Sequence, residues 1–204
     1  QRGEEELDLQ ALAAGKRIFL LRHGEIQQHA GKIFLGQTDV PLSSQGKEDS
    51  RLLAEELKQE GLCTKQIYTG DLKRTVQTAE IVASLLDIGQ IIQRPALREM
   101  ALGAWDGKPI EEIKALYPEE YKKRGENLFT YKPDHHWESF FDLQYRVVKA
   151  LKGILEEVTL QGETDIVIVA HKGVLRVIEN NLDGKSVEFP WETIQPAKYR
   201  CKSY

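Results

Sequence analysis

The chain has 204 residues, a length at which one domain is the default and roughly 70% of the unfolded surface can be buried. Lys and Arg total 28 against 32 Asp and Glu, and the net charge of −4 argues against a general nucleic-acid or anionic-membrane partner while allowing a local basic pocket. No apolar run approaches the ~20 residues needed to span a bilayer, and no signal-peptide pattern opens the chain.

Gln1–Gln10 is acidic and polar and starts without Met. Residues 1–15 are therefore expected to be a polar extension or linker, whether a processed end, an artificial boundary or the cut edge of a longer chain, the last two being preferred and the cut edge implying fusion to another domain, with 16–204 as the folded unit. Ile18–Leu21 is an apolar run of strand character, closed by Arg22-His23-Gly24-Glu25. His29–Gln45 carries turn chemistry, and Pro41 forbids a central strand there. Ser43 or Ser44 fits the N-cap of a helix over Gly46–Glu60, with Leu52, Leu53 and Leu57 on its apolar face and Gly61 at its end. Lys65–Thr69 reads as a second strand. Asp71 fits the N-cap of a helix burying Val76, Ala79, Val82, Ala83 and Leu86. Ile91-Ile92 suggests a third strand. Arg98–Gly107 is a loop, and Pro109 opens a helix over Ile110–Leu116. Tyr121–His136 is predicted to be an irregular excursion, a candidate lid. A long helix over Glu138–Val158 follows, then a strand over Asp165–Ala170 and a helix from Gly173 to Asn181. This alternation predicts an α/β fold, a three-layer sandwich with a mostly parallel central sheet and helices on both faces.

Two of these strands end in histidine. An arginine and a histidine side by side at the end of the first need a reason, because an unpaired buried guanidinium is costly and commonly meets an anion. The late strand ends in His171-Lys172-Gly173. Two imidazoles at strand carboxyl ends suggest one pocket, and Arg74 in the first turn of a predicted helix would fall there too. Cys63 and Cys201 show no CxxC and no metal spacing, so neither cysteine points to a metal or a cofactor. The pair reads as two reduced thiols of a cytoplasmic protein, with a disulfide as the other reading.

The set Arg22-His23-Gly24-Glu25, Leu72-Lys73-Arg74-Thr75-Val76-Gln77-Thr78-Ala79 and His171-Lys172-Gly173 resembles the histidine phosphatase superfamily, from about Lys16 to about Asn180. That family includes phosphoglycerate mutases and small phosphatases of the α-ribazole-phosphate phosphatase type. The resemblance implies His23 as nucleophile toward phosphorus, with Arg22, Arg74 and His171 holding the phosphoryl oxygens. Glu99, in Leu97-Arg98-Glu99 ahead of Gly103-Ala104-Trp105-Asp106-Gly107, matches the family's proton donor, with Asp106 and Glu25 as alternatives. Gly36, in Gly36-Gln37-Thr38-Asp39, matches a loop bordering the site. Gly24 and Gly173 are expected to admit backbone close to phosphate. Trp105 is expected in the core rather than as a substrate platform. His135 and His136 precede Trp137-Glu138-Ser139, where the family often has Gly-Glu-Ser.

Four positions depart from the pattern: Ile26, His29, Gly70 and Lys172 stand where Thr or Ser, Asn, Ser and Gly are common. They are expected to line the substrate mouth. The implied function is metal-independent hydrolysis of a small-molecule phosphate ester. The alternatives are a mutase, for which Lys122, Lys123 and Arg124 would be a basic substrate segment, and a catalytically quiet phospho-ligand-binding module.

Overall fold

A computed structural model describes residues 2–28 and 31–204, with side chains from Asp8 onward. The chain opens with helix α1 (Arg2–Ala13), where a polar linker was expected. Leu9, Leu12 and Ala13 stand at helical spacing, and Leu9 and Ala13 are fully buried in the core. Three apolar residues are enough to dock this stretch although its composition is acidic.

Strand β1 (Arg17–Arg22) follows, then helix α2 (Ser44–Lys58) and strand β2 (Gln66–Thr69). The Ser43 hydroxyl caps α2 by accepting from the Gly46 N–H. This helix buries Leu53, Ala54 and Leu57, while Leu52, expected inward, is half exposed. Helix α3 (Lys73–Leu86) has no cap from its own N-cap residue, Leu72, and its Lys73 N–H donates instead to Asp39 Oδ1 at 2.8 Å. Asp71, expected to cap it, instead accepts both Nε and Nη2 of Arg98 at 2.7 and 2.8 Å. A bidentate guanidinium outcompetes a neutral amide for the carboxylate, and the bonds from Arg98 lower the Asp71 pKa.

Strand β3 (Gln90–Gln93) leads into two 3₁₀ turns and helix α4 (Ile110–Leu116). Helix α5 (Pro118–Glu126) takes up the first half of the predicted irregular excursion. Pro118 opens it and Glu119 and Glu120 sit in its first turn, a sound N-terminus in a stretch that is otherwise merely polar. Helix α6 (Phe140–Gln161) begins with a Ser139–Asp142 capping box. Strand β4 (Asp165–Ala170), helix α7 (Lys172–Leu182) and strand β5 (Tyr199–Ser203) complete the chain.

The five strands are ordered β3-β2-β4-β1-β5, all parallel except β5, which runs antiparallel beside β1. Side chains alternate across the sheet. Ile18, Leu20, Ile166 and Ile168 pack beneath α1, α6 and α7. Phe19, Leu21, Val167 and Val169 pack beneath α2 and α3. This is the expected three-layer α/β sandwich. Cys63 and Cys201 are free thiols. Among the described residues no helix is long and apolar enough to cross a membrane.

Candidate active site

β1 and β4 lie side by side, with Arg22 opposite Ala170. The chain leaves both at the same sheet edge. His23 and His171 therefore meet edge to face, with ring centroids 5.2 Å apart.

The two rings are held in opposite tautomers. Nδ1 of His23 lies 2.7 Å from the Gly24 carbonyl, which can only accept, so Nδ1 carries the proton and Nε2 keeps its lone pair. Arg74 Nε donates to Nδ1 of His171 at 3.2 Å, so the His171 proton sits on Nε2. Both rings are neutral. Burial, then the Arg74 charge, pushes the His23 pKa down to about 3, with Arg22 adding to the effect. Burial, Arg74 and His23 likewise hold His171 well below its usual range.

Arg74 is wholly buried in the first turn of α3. Its Nη1 donates to the Thr38 carbonyl at 2.7 Å and its Nη2 to the Gly36 carbonyl at 2.5 Å. Arg22 donates Nη1 to the Ile194 carbonyl at 3.0 Å. Two donors here are buried without a partner among the described residues, Arg22 Nε and His171 Nε2. Each such orphan costs roughly 1–3 kcal/mol, which an oxyanion accepting from it would offset. The Thr of the central motif has its own task. The Thr78 hydroxyl donates to the Arg74 carbonyl and accepts from the Gly24 N–H, tying α3 to the turn that carries His23.

Glu99 joins this group. One of its oxygens accepts from the Met100 N–H and the other from the Gly173 N–H, both at 3.0 Å. Its negative charge raises the pKa of Arg22 and Arg74 against the larger lowering by burial. Gly173 is required by this approach, because a Cβ there would lie 2.6 Å from the carboxylate. A Cβ on Gly24 would meet the Gly46 carbonyl oxygen at 2.6 Å. The two glycines therefore make room for Glu99 and for α2.

The alternative acids are engaged elsewhere. Asp106 accepts from the N–H groups of Gly36 and Gln37 and from the Thr38 hydroxyl at 2.7 Å. It fixes the loop whose carbonyls hold Arg74. Glu25 accepts from the Ser43 hydroxyl at 2.9 Å, at the start of α2. Gly36 lies beside Arg74, accepting its Nη2 at the backbone carbonyl.

Of the four departures, Ile26 is buried in an isolated bridge with Leu42 rather than lining the mouth. Gly70 packs beside His171, 3.6 Å from Nε2 to where its Cβ would be. Lys172 is exposed at the start of α7 and lines a cleft adjoining Glu99. His29 lies outside the described residues. Trp105 is buried among Phe34, Tyr131 and Trp137, which makes it core.

One organising residue went unread in the sequence. Arg146, on α6, donates to the carbonyls of Ala96, Arg98 and Glu99 and to both oxygens of Glu138, at 2.7–2.9 Å. Glu138 also accepts from the Ala101 N–H. One guanidinium thus ties three carbonyls of the segment presenting Glu99, which Gln37 also holds by donating to the Glu99 carbonyl at 3.2 Å. Its only sequence signal was Glu138 in the Trp-Glu-Ser stretch.

Residues 18–201 match the model of the histidine phosphatase superfamily, branch 1. The chain is 32% identical over 170 residues to a Yersinia enterocolitica protein named "Probable phosphoglycerate mutase GpmB", covering 82% of this chain and 75% of that one. It is 30% identical over 196 residues to 6-phosphofructo-2-kinase/fructose-2,6-bisphosphatase 1 of Rattus norvegicus, covering 92% of this chain. It spans only 39% of that relative's length. Among solved structures, the α-ribazole phosphatase of Shigella flexneri superposes with a TM-score of 0.77 at 25% identity, covering 91% of this chain and 89% of that one. YhfR of Bacillus stearothermophilus gives 0.77 at 27% identity, with 91% and 90% covered.

Proposed function

Because the chain belongs to the histidine phosphatase superfamily, we propose that it hydrolyses small-molecule phosphomonoesters through a phosphohistidine at His23. The observation carrying this reading is the pair of opposite tautomers. His23 offers a lone pair to phosphorus, and His171 offers an N–H to the phosphoryl oxygens. Arg22 and Arg74 supply two fixed positive charges for the oxyanion. These charges do the work a metal does elsewhere, so the chemistry calls for none.

His23 Nε2 attacks phosphorus and the ester P–O bond breaks. Glu99, which enters this step protonated, gives its proton to the departing alkoxide. As a carboxylate it then takes a proton from water, whose oxygen attacks phosphorus and breaks the P–N bond. Inorganic phosphate leaves, and Glu99 is again protonated for the next cycle. A cytoplasmic setting fits the two free thiols.

The test is phosphate release from a panel of phosphomonoesters in EDTA by wild type, His23→Ala and Glu99→Gln. Wild-type turnover lost in His23→Ala, with an acid-labile, base-stable phosphoryl adduct only when His23 is present, supports the reading. Binding of phosphate without any adduct would instead indicate a quiet binding module. A second reading, mutase, is favoured by one observation: Arg124 of the basic segment lines the cleft beside Glu99. In that case the phosphoryl group would stay on His23 until a second hydroxy acid accepted it.

A further inference from the structure

Arg22 and Arg74 are held very differently. The Arg74 guanidinium is fixed by three acceptors, the carbonyls of Gly36 and Thr38 and Nδ1 of His171. Among the described residues Arg22 has one, the Ile194 carbonyl, and its Nε is left bare. The direction in which Arg22 points therefore depends on where Ile194 stands.

Ile194 belongs to residues 191–195, a stretch with no regular secondary structure. Two side chains from other elements hold it. Glu179 on α7 accepts from the Trp191 Nε1–H at 2.9 Å, and Arg200 on β5 donates Nη2 to the Glu192 carbonyl at 2.9 Å. Arg200 Nη1 donates to the same Glu179 oxygen that Trp191 uses. Both side chains are largely buried. Downstream, the Ala197 N–H donates to the carbonyls of Arg22 and His23, so the stretch is moored at both ends. Arg200 lies opposite Leu20, two residues before Arg22 on β1, so it shares a sheet face with Arg22.

A buried ion pair adds little net stability, because desolvation offsets most of its attraction. An apolar pair would join α7 to β5 as well. What the ion pair adds is direction, through hydrogen bonds to two successive residues of the strap, Trp191 and Glu192.

We propose that Glu179 and Arg200 are positioning residues for the phosphoryl clamp: they fasten the 191–194 strap, and its Ile194 carbonyl aims the Arg22 guanidinium so that the bare Nε meets a phosphoryl oxygen. The inference rests on the clamp role given to Arg22 above.

The experiment is calorimetric titration with inorganic phosphate of wild type and two strap variants, Arg200→Met and Glu179→Leu. Lys202→Met is the control. Lys202 pairs with Glu179 at 3.4 Å and with Asp183 at 3.0 Å from the same strand, but among the described residues it has no hydrogen bond to the strap. Arg200→Met is also made in an Arg22→Lys background. A lysine ammonium binds phosphate as a point charge and has no fork to aim. Each strap variant should raise the Kd by about fivefold or more, the size of a misdirected charge-assisted hydrogen bond. Lys202→Met should leave the Kd unchanged, and Arg200→Met should cost nothing in Arg22→Lys. The Kd does not depend on the folded fraction, which enters the stoichiometry instead, so a poorly folding variant still reports. An unchanged Kd in either strap variant, an equal loss in Lys202→Met, or a loss that persists in Arg22→Lys overturns this inference. The phosphatase reading, tested by the His23 adduct, would still stand. No phosphate binding by wild type overturns the clamp and the inference together. The expected pattern of Kd values without any His23-dependent adduct supports this inference and overturns the phosphatase reading alone.

Discussion

Under the proposed mechanism, a proton on the wrong nitrogen of His23 would put an N–H where the lone pair is needed. The Gly24 carbonyl prevents this, and burial with Arg74 keeps the ring neutral to about pH 3. That neutrality has a cost at low pH. The unfolded chain binds protons on these histidines below about pH 6.5, while the folded chain does not. Stability is therefore fully present above pH 6.5 and falls on acidification, by about 1.4 kcal/mol per pH unit for each ring, until its folded value is reached. Urea unfolding at pH 5.0, 6.0 and 7.5 should show this slope, and His23→Ala should roughly halve it. A flat profile over that range would refute the buried neutral pair. At the same scale, Glu99→Gln keeps the oxygen that accepts a backbone N–H but cannot release or accept the catalytic proton. It should lower kcat by about 10²–10⁴ and change the inhibition constant of inorganic phosphate little.

The elements divide the labour: strands carry the histidines, and helices and loops hold the groups that act on them. Asp106 pins the 36–38 loop, and that loop's carbonyls pin Arg74. Asp106→Ala should weaken inhibition by phosphate about tenfold, read from steady-state competition, because the clamp loses its anchor. Arg146 pins the 96–99 segment. Arg146→Met should lower kcat by about 10²-fold with phosphate inhibition nearly unchanged, since the displaced group is the proposed proton donor, Glu99. Equal losses in both measures would mean the clamp had moved too. The sequence announced the histidines, Arg74 and Glu99 because each sits in a short local motif. It was silent on Arg146 and on the role of Asp106, whose partners lie tens of residues away. The same limit applies to elements. β1 and β4 are buried on both faces and read as continuous apolar runs. β5, Tyr199-Arg200-Cys201-Lys202-Ser203, is an edge strand with polar side chains and no such signal. α1 was hidden by its acidic face, and the Asp71 cap was lost to a distant arginine.

At the scale of the whole molecule, two apolar layers clamp one sheet, and α1 belongs to the larger of them. Leu9→Ala should therefore destabilise the protein by about 2–4 kcal/mol in urea unfolding, where a linker residue would cost almost nothing. The β1–β4 pairing has a consequence for time as well as for place. Arg22 and Ala170 are neighbours in space but separated by most of the chain. Joining them closes a very long loop before any native contact between them repays the entropy. The proposed nucleophile, His23, sits on one lip of that seam and His171 on the other. Refolding intermediates built from local pieces such as β2, α3 and β3 thus contain Arg74 and no working centre. In a refolding experiment, turnover should return only with the slowest major phase of structure, never ahead of it: the active site is the last stitch of the fold.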